Sequence, residues 1–315
     1  NQFYLKLDKM IVNKAKKILI DGGLVIFPTE TVYGLGADAT NEKAVKSIYK
    51  TKKRPTNNPI ICHFYNLKEI EKNFILNSKA YKLAKFFWPG PLTLILEKKK
   101  MSKINPILSN NTKFVGCRIP KHPIAKKLLK NLNFPLAAPS ANISTKLSST
   151  NINHLSKIFL NKIFIIDGGE SLYGLESTVV DVTKKNAKIL RLGSITFESL
   201  KKIIPNIKIQ KKQLKKLSPG MMYKHYAPEK RIRINVKKVF KEEALLNFGI
   251  NNLSSKVMEL NLSTKGNLDE AAKNFYNFMH ILDNSKSKKI AVAPIPKSGL
   301  GKAINDRLVR ASSIK

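Results

Sequence analysis

The chemistry-bearing residues begin at residues 27–39 (FPTETVYGLGADA), where the Thr29 and Thr31 hydroxyls and the Glu30 carboxylate follow a short apolar run. Gly34 to Ala39 matches GxGxxA, the fingerprint of a dinucleotide-binding turn. That fingerprint needs its first glycine at the end of a strand and an acidic residue about 20 positions later. Gly34 stands six residues after Pro28, and the later position is Lys52-Lys53-Arg54, so the match is a decoy. Gly34 and Gly36 then read as a glycine-rich turn between a strand and a helix. Lys52 and Arg54 lie just past a predicted helix end. They either complement the helix dipole there or, in the case of Arg54, hold a phosphate by paired hydrogen bonds. Asn58 precedes Pro59, and His63 follows in an alternating stretch that puts it with Ile61 on one face and Cys62 with Phe64 on the other. Ser140, Asn142 and Ser144 in residues 138–144 (APSANIS) suit either a turn or a ligand that needs close backbone approach. Glu176-Ser177-Thr178 repeats that logic before an apolar pair, and Arg191 closes the next strand. Several chemistries are missing. There is no Ser-His-Asp set or paired-carboxylate dyad. The five histidines (63, 122, 154, 225, 280) lack zinc spacing, and residues 299–303 (GLGKA) lack the Walker spacing and hydroxyl.

These side chains need elements to carry them. Apolar periodicity predicts a helix over 10–20 ending on Gly22-Gly23, a strand over 24–27, and a helix capped by Asn41 and running through Tyr49. Further strands are expected over 60–64, 92–96, 114–119, 164–166, 178–182 and 188–192, with helices over 78–87 and 124–129. Strands and helices interleave, which makes the class α/β with a twisted mixed sheet. After residue 207 the pattern changes. Residues 211–216 are basic, and 218–228 (SPGMMYKHYAP) carry Pro and Gly without periodicity. A small βαβ-type unit follows, with strands over 231–236 and 290–293 and helices over 268–282 and 302–310. The organisation expected is a first domain over 1–208, a linker over 209–228 and a second domain over 229–315.

Charge bounds the partners. The chain has 315 residues, 58 Lys+Arg against 21 Asp+Glu, and a formal net charge of +37. Only seven of the cations are arginine, and the lysine runs are scattered. A dedicated nucleic-acid groove more often clusters Arg beside aromatics, so this pattern reads as compositional drift plus solvated surface. A field of this sign still attracts nucleotides and RNA weakly. Cys62 and Cys117 make neither a disulfide framework nor a CxxC metal pair. No apolar run approaches the ~18 residues of a membrane span, and the first residues are too polar for a signal peptide. A reduced, cytoplasmic, soluble protein with no membrane partner is expected.

In order and spacing, FPTETVYGLGADA (27–39), KKRP (52–55), NPIICH (58–63), WPGPLTL (88–94), RIPKHP (118–123), APSANIS (138–144), ESTVVD (176–181) and RLGSI (191–195) together resemble the threonylcarbamoyl-AMP synthase family. SPGMMYKHYAP (218–228) and GLGKAINDRLVRA (299–311) mark its long two-domain form. The resemblance implies a YrdC-like first domain and a smaller Rossmann-like second one. It further implies an ATP-dependent nucleotidyltransferase that condenses L-threonine, bicarbonate or carbon dioxide, and ATP to threonylcarbamoyl-AMP and pyrophosphate. The product would pass to the machinery that modifies adenosine in tRNA, with weak tRNA contact. By motif position, Lys52 and Arg54 are the implied catalytic residues and, with Arg191, meet phosphate oxygens, while Mg2+ is carried by ATP. Asn58, Ser140, Asn142 and Ser148 would contact the nucleotide, and Thr31, His63, Arg118 and Thr178 the threonine. Tyr226 and its loop would close over ATP. Phe114, where relatives often have Thr, and Thr145-Lys146-Leu147, in place of a Gly-basic-Pro loop, depart from the pattern. A hydrogenase-maturation carbamoyltransferase lacks support because zinc-ligand cysteines are missing. The alternative from a different class is an RNA-binding or ribosome-associated module without catalysis.

Overall fold

The computed structural model describes residues 2–210 and 226–312, with side chains from residue 9 onward. Most of the expected linker, residues 211–225, lies outside the described residues; its start is the edge strand Lys208–Ile209 and its end begins at Tyr226. Two sheets organise the described chain. The larger runs, edge to edge, Lys208–Ile209, Lys188–Arg191, Thr178–Asp181, Leu92–Lys98, Phe114–Arg118, Cys62–His63, Leu136–Ala137, Gly34–Asp38, Val25–Phe27 and Phe164–Ile165, with Phe74–Ile75 added beside Leu92–Lys98. Parallel and antiparallel pairs both occur along it, so the sheet is mixed as expected. The smaller sheet has four strands in the order Arg231–Arg233, Lys289–Val292, Glu243–Asn247, Glu259–Asn261, all parallel.

Local sequence accounts for most elements. Asn41 accepts from the Ala44 amide and starts the helix Glu42–Lys52, which Lys53 ends in a left-handed conformation. Lys52 is therefore the last helical residue and is buried, not a solvated residue beyond the helix. The helix Gln2–Ile20 begins earlier than its apolar periodicity indicated. Between Ile60 and Phe64 only Cys62–His63 pair as a strand, because the Asn58-Pro59 punctuation delays the extended pairing. The expected glycine turn is instead the strand Gly34–Asp38, folded back antiparallel on Val25–Phe27. Its glycines serve close packing: a Cβ on Gly36 would stand 2.8 Å from the Phe27 ring. Glu243–Asn247 (EALLN) is a wholly buried central strand built from residues of high helix propensity, an instance of tertiary packing overriding local preference.

The main core fills the faces of the large sheet, whose alternation sends Cys62 and Phe64 inward and leaves Ile61 and His63 on the cavity side. A second core joins the units: Val32, Leu147, Leu175 and Tyr226 pack with Phe275, Tyr276, Ile304 and Leu308. Among the described residues no helix is long and apolar enough to cross a membrane.

Candidate active site

One end of the large sheet gathers the functional motifs. His63 and Arg118 are register partners at the ends of two parallel strands, and the Ala138 amide donates to the Ile61 carbonyl at 3.0 Å. Gly34 bridges Ser140, and Ser177, just before the strand Thr178–Asp181, stands beside Thr93 with the two hydroxyls 2.8 Å apart. Gly193 lets the chain after Arg191 press on this wall: a Cβ there would lie 2.3 Å from the Glu176 carbonyl oxygen. Between these strand ends is a cavity whose walls include Thr29, Thr31, His63, Arg118, Arg54, Ser140, Glu176, Ser177, Arg191 and Tyr226.

One group of side chains on this wall centres on Arg118. Its Nη2 pairs with Glu30 Oε1 at 2.6 Å, its Nη1 donates to Thr31 Oγ1 at 2.9 Å, and its Nε donates to the Gly90 carbonyl at 3.2 Å. Three of the five guanidinium N–H donors are then engaged, leaving two for an incoming anion. Burial would raise the Glu30 carboxyl, but the Arg118 charge and hydrogen bond bring it below its ordinary value. Thr29 donates to the Val32 carbonyl at 2.6 Å, so Thr31, accepting from Arg118, can give its proton to Thr29 or to a ligand. His63 is buried, and its pKa is pushed down to about 3, first by desolvation and then by the Arg118 charge; the ring is neutral. Its Nδ1 has no hydrogen-bond partner among the described residues, and on the cavity wall such a buried atom calls for a water or a ligand as partner.

The other group holds Arg54, Arg191, Ser177, Glu176 and Tyr226. Arg54 is fixed by Nε donating to the Asn58 carbonyl at 3.0 Å and Nη2 to the Pro59 carbonyl at 2.7 Å. Burial pushes its pKa down to about 10, still cationic at neutral pH. Arg191 donates from Nε and Nη2 to the Ser177 carbonyl at 3.1 and 2.9 Å, and from Nη2 to Ser177 Oγ at 3.0 Å. Backbone carbonyls and, for Arg191, the Ser177 hydroxyl orient these two guanidiniums on the cavity wall, the electrostatics of an oxyanion or phosphate site. Tyr226 enters the wall with a positive φ of 61°, held by the Ala227 amide donating to the Thr145 carbonyl at 2.9 Å.

Five residues expected at the site stand behind this wall. The Lys52 ammonium donates to the Ser140 carbonyl at 2.5 Å and to the Asn142 carbonyl, and burial drives its pKa well below the ordinary value. Asn142 gives its amide protons to the Ile143 and Lys146 carbonyls and receives the Ser140 hydroxyl at 2.5 Å. Together these two set the shape of the Ser140 loop. Asn58 contributes its carbonyl to Arg54, and Ser148 donates to Glu176 Oε1 at 2.5 Å. The Thr178 hydroxyl closes a two-way pair with Ile195, donating to its carbonyl at 2.7 Å and accepting from its amide at 2.9 Å. With the Thr178 hydroxyl taken by Ile195, the residues just before the strand, Glu176 and Ser177, face the cavity instead. Sequence reasoning placed Thr29, Glu176 and Ser177 inside its motifs but gave none of them a role at the site. Among the described residues, no group of three or more His, Cys, Asp or Glu could hold a metal ion.

Comparison with known proteins agrees with the motifs. The Sua5, YciO and YrdC family model, described as "Telomere recombination", matches residues 17–193. A model described as "Threonylcarbamoyl-AMP synthase, C-terminal domain" matches residues 195–313. The threonylcarbamoyl-AMP synthase of Pyrococcus abyssi is 36% identical over 332 residues, covering 98% of this chain and 96% of the relative. That of Bacillus subtilis is 34% identical over 321 residues, covering 96% and 92%. The crystal structure of Pyrococcus abyssi Sua5 complexed with L-threonine aligns with a TM-score of 0.88 at 35% identity, covering 96% of this chain and 94% of that one. With both family models, near-complete relatives and the fold in agreement, the chain belongs to the threonylcarbamoyl-AMP synthase family.

Proposed function

We propose that this enzyme condenses L-threonine, bicarbonate or carbon dioxide, and ATP to threonylcarbamoyl-AMP and pyrophosphate. The observation that carries the reading is the pairing of two cationic groups on one cavity: Arg118 with Thr31 and the orphan His63 nitrogen, and Arg54 with Arg191 and Ser177. The first suits an amino-acid carboxylate and hydroxyl, the second a polyphosphate.

In this reading the neutral threonine amine adds to carbon dioxide, or to bicarbonate with loss of water, to give N-carboxythreonine. A carbamate oxygen attacks the ATP α-phosphorus in line. The bond from that phosphorus to the α,β-bridging oxygen breaks, and pyrophosphate leaves with the Mg2+ that ATP brought. Such a displacement needs positioning and charge neutralisation more than covalent help from the protein. Arg118 takes the threonine carboxylate, and Thr31 and neutral His63 hydrogen-bond to threonine without adding charge. Arg54 and Arg191 meet phosphate oxygens, and Ser140 and Tyr226 line the nucleotide end. Lys52, Asn58 and Asn142 act by holding Arg54 and the Ser140 loop; Thr178 and Ser148 secure the opposite strand. The product goes to machinery that transfers threonylcarbamoyl to tRNA adenosine, and the net charge of +37 supports weak contact with that tRNA.

The test is pyrophosphate release from MgATP, with threonine and bicarbonate added singly and together, and mass detection of the mixed anhydride. Release that requires both supports the reading. ATP-independent tRNA binding with a steep salt dependence, and no pyrophosphate, would replace it with the RNA-binding module.

A further inference from the structure

Glu176 is an anion on the wall of a cavity read as taking ATP, which is an unfavourable place for a negative charge. The carboxylate is buried and fully engaged. Oε1 accepts from Ser148 Oγ at 2.5 Å and from the Tyr276 hydroxyl at 2.7 Å; Oε2 accepts from Arg307 Nε at 3.2 Å and Nη2 at 3.0 Å. Burial alone would raise its pKa, but Arg307, Arg191 and the two hydroxyl donors bring it down to about 2, so it is ionised at neutral pH. It has no spare lone pair for proton transfer, which excludes a general-base role.

Both the cation and one of the hydroxyls come from the second unit. Arg307 lies on the helix Gly301–Ser312 and Tyr276 on the helix Leu268–Asp283. Arg307 is 0% exposed, does not line the cavity, and is held by the Leu192 and Ala303 carbonyls with the Tyr226 ring 5.1 Å from its guanidinium carbon. A charge that is wholly buried, that pairs also with Asp306 at 3.5 Å and that meets the wall residues Glu176 and Tyr226 only from behind binds no ligand itself. It acts on the cavity through Glu176.

We infer that Arg307 is a positioning residue by which the second unit completes the nucleotide site: it neutralises Glu176 and so leaves the field of Arg54 and Arg191 to the phosphates. The inference rests on the ATP reading above. Its signature is an asymmetry. Removing the Arg307 charge leaves Glu176 with Arg191 as its remaining counter-charge, draws on the field that would hold the ATP phosphates and weakens binding. Removing the Glu176 charge takes away repulsion and does not weaken it. A purely structural pair would lose affinity in both cases.

The test is calorimetric titration of the full-length protein with MgATP and, separately, with threonine. Variants are Arg307→Met, Arg307→Lys, Glu176→Gln and the double Arg307→Met/Glu176→Gln. Arg307→Met is expected to loosen ATP by about tenfold or more, the equivalent of ~1.4 kcal/mol, and threonine by less than about threefold. Arg307→Lys should restore most of the loss. Glu176→Gln should bind ATP as tightly as wild type or more so, and the double variant should match Glu176→Gln within about threefold. If Arg307→Met does not fold, the double variant, which buries no unpaired charge, still carries the comparison with Glu176→Gln. Wild-type ATP affinity in Arg307→Met, or a double variant about tenfold weaker than Glu176→Gln, overturns the inference alone. A wild-type protein that binds no MgATP overturns the ATP reading with it.

Discussion

Two buried arginine–glutamate pairs flank the cavity, and they are built with opposite polarity. In Arg118–Glu30, 4% and 3% exposed, the cation lines the cavity and the anion stands behind it. In Arg307–Glu176, 0% and 5% exposed, the anion lines the cavity and the cation stands behind. The first pair joins a strand end to a neighbouring loop of one sheet; the second spans the two units. Burying either pair costs several kcal/mol of desolvation that mutual attraction only roughly offsets, so neither pair by itself adds much to stability. The difference lies in what each shows to a ligand. Arg118 is held rigid by its anion and still has donors for a carboxylate. Glu176 faces the cavity beside Arg191, and its charge is met from the second unit by Arg307.

Breaking the comparison begins with Arg118→Ala, which strands Glu30 without its cation. Loss of one partner of a buried pair costs about 3–5 kcal/mol, read by denaturant unfolding. Threonine KM should rise more than ATP KM, and equal rises would refute the carboxylate role. Arg54→Ala comes next. Loss of charge-assisted contacts worth ~1.5–3 kcal/mol should raise ATP KM on the order of 10–100-fold in steady-state pyrophosphate release, with threonine KM changed less. Unchanged ATP kinetics would remove Arg54 from the phosphate site. Lys52→Met sharpens the contrast between a cation that faces the cavity and one that holds a loop. It should cost about 1–3 kcal/mol of stability through the lost carbonyl bonds and raise ATP KM less than Arg54→Ala does. An equal rise would show that the ammonium reaches phosphate.

The smallest effect at neutral pH concerns the junction of the units, where His154 and His280 stack with centroids 4.1 Å apart. Desolvation, then the neighbouring His280, pushes His154 down to about 3, and desolvation also lowers His280. Below the ordinary histidine value the unfolded chain binds protons that the folded one does not, so stability is full above about pH 6.5 and falls as pH drops towards 3. By pH 5.5 the loss should reach about 1 kcal/mol, and His280→Gln should show a shallower pH slope in unfolding measurements. An identical slope would place the pH sensitivity elsewhere.

Much of the molecule is written locally. The Asn41 cap, the alternation of Ile61 and His63 against Cys62 and Phe64, and the interleaved strands and helices follow from short-range sterics and hydrophobic period, so the α/β class and the motif positions are legible in the chain. Gly34 and Gly36 misled because their lack of side chain is compatible with a turn, and only the Phe27 ring above them shows why a strand needs them. The same holds for the site. The motifs of the family resemblance named Arg54, Arg118, Arg191 and His63, whereas competition for backbone partners decided that Ser177 faces the cavity while Thr178 and Lys52 do not. Glu176 and Arg307 are 131 residues apart, and no local pattern links them. Their pairing exists only because the second core packs residues of both units together, which brings the Arg307 guanidinium to the Glu176 carboxylate.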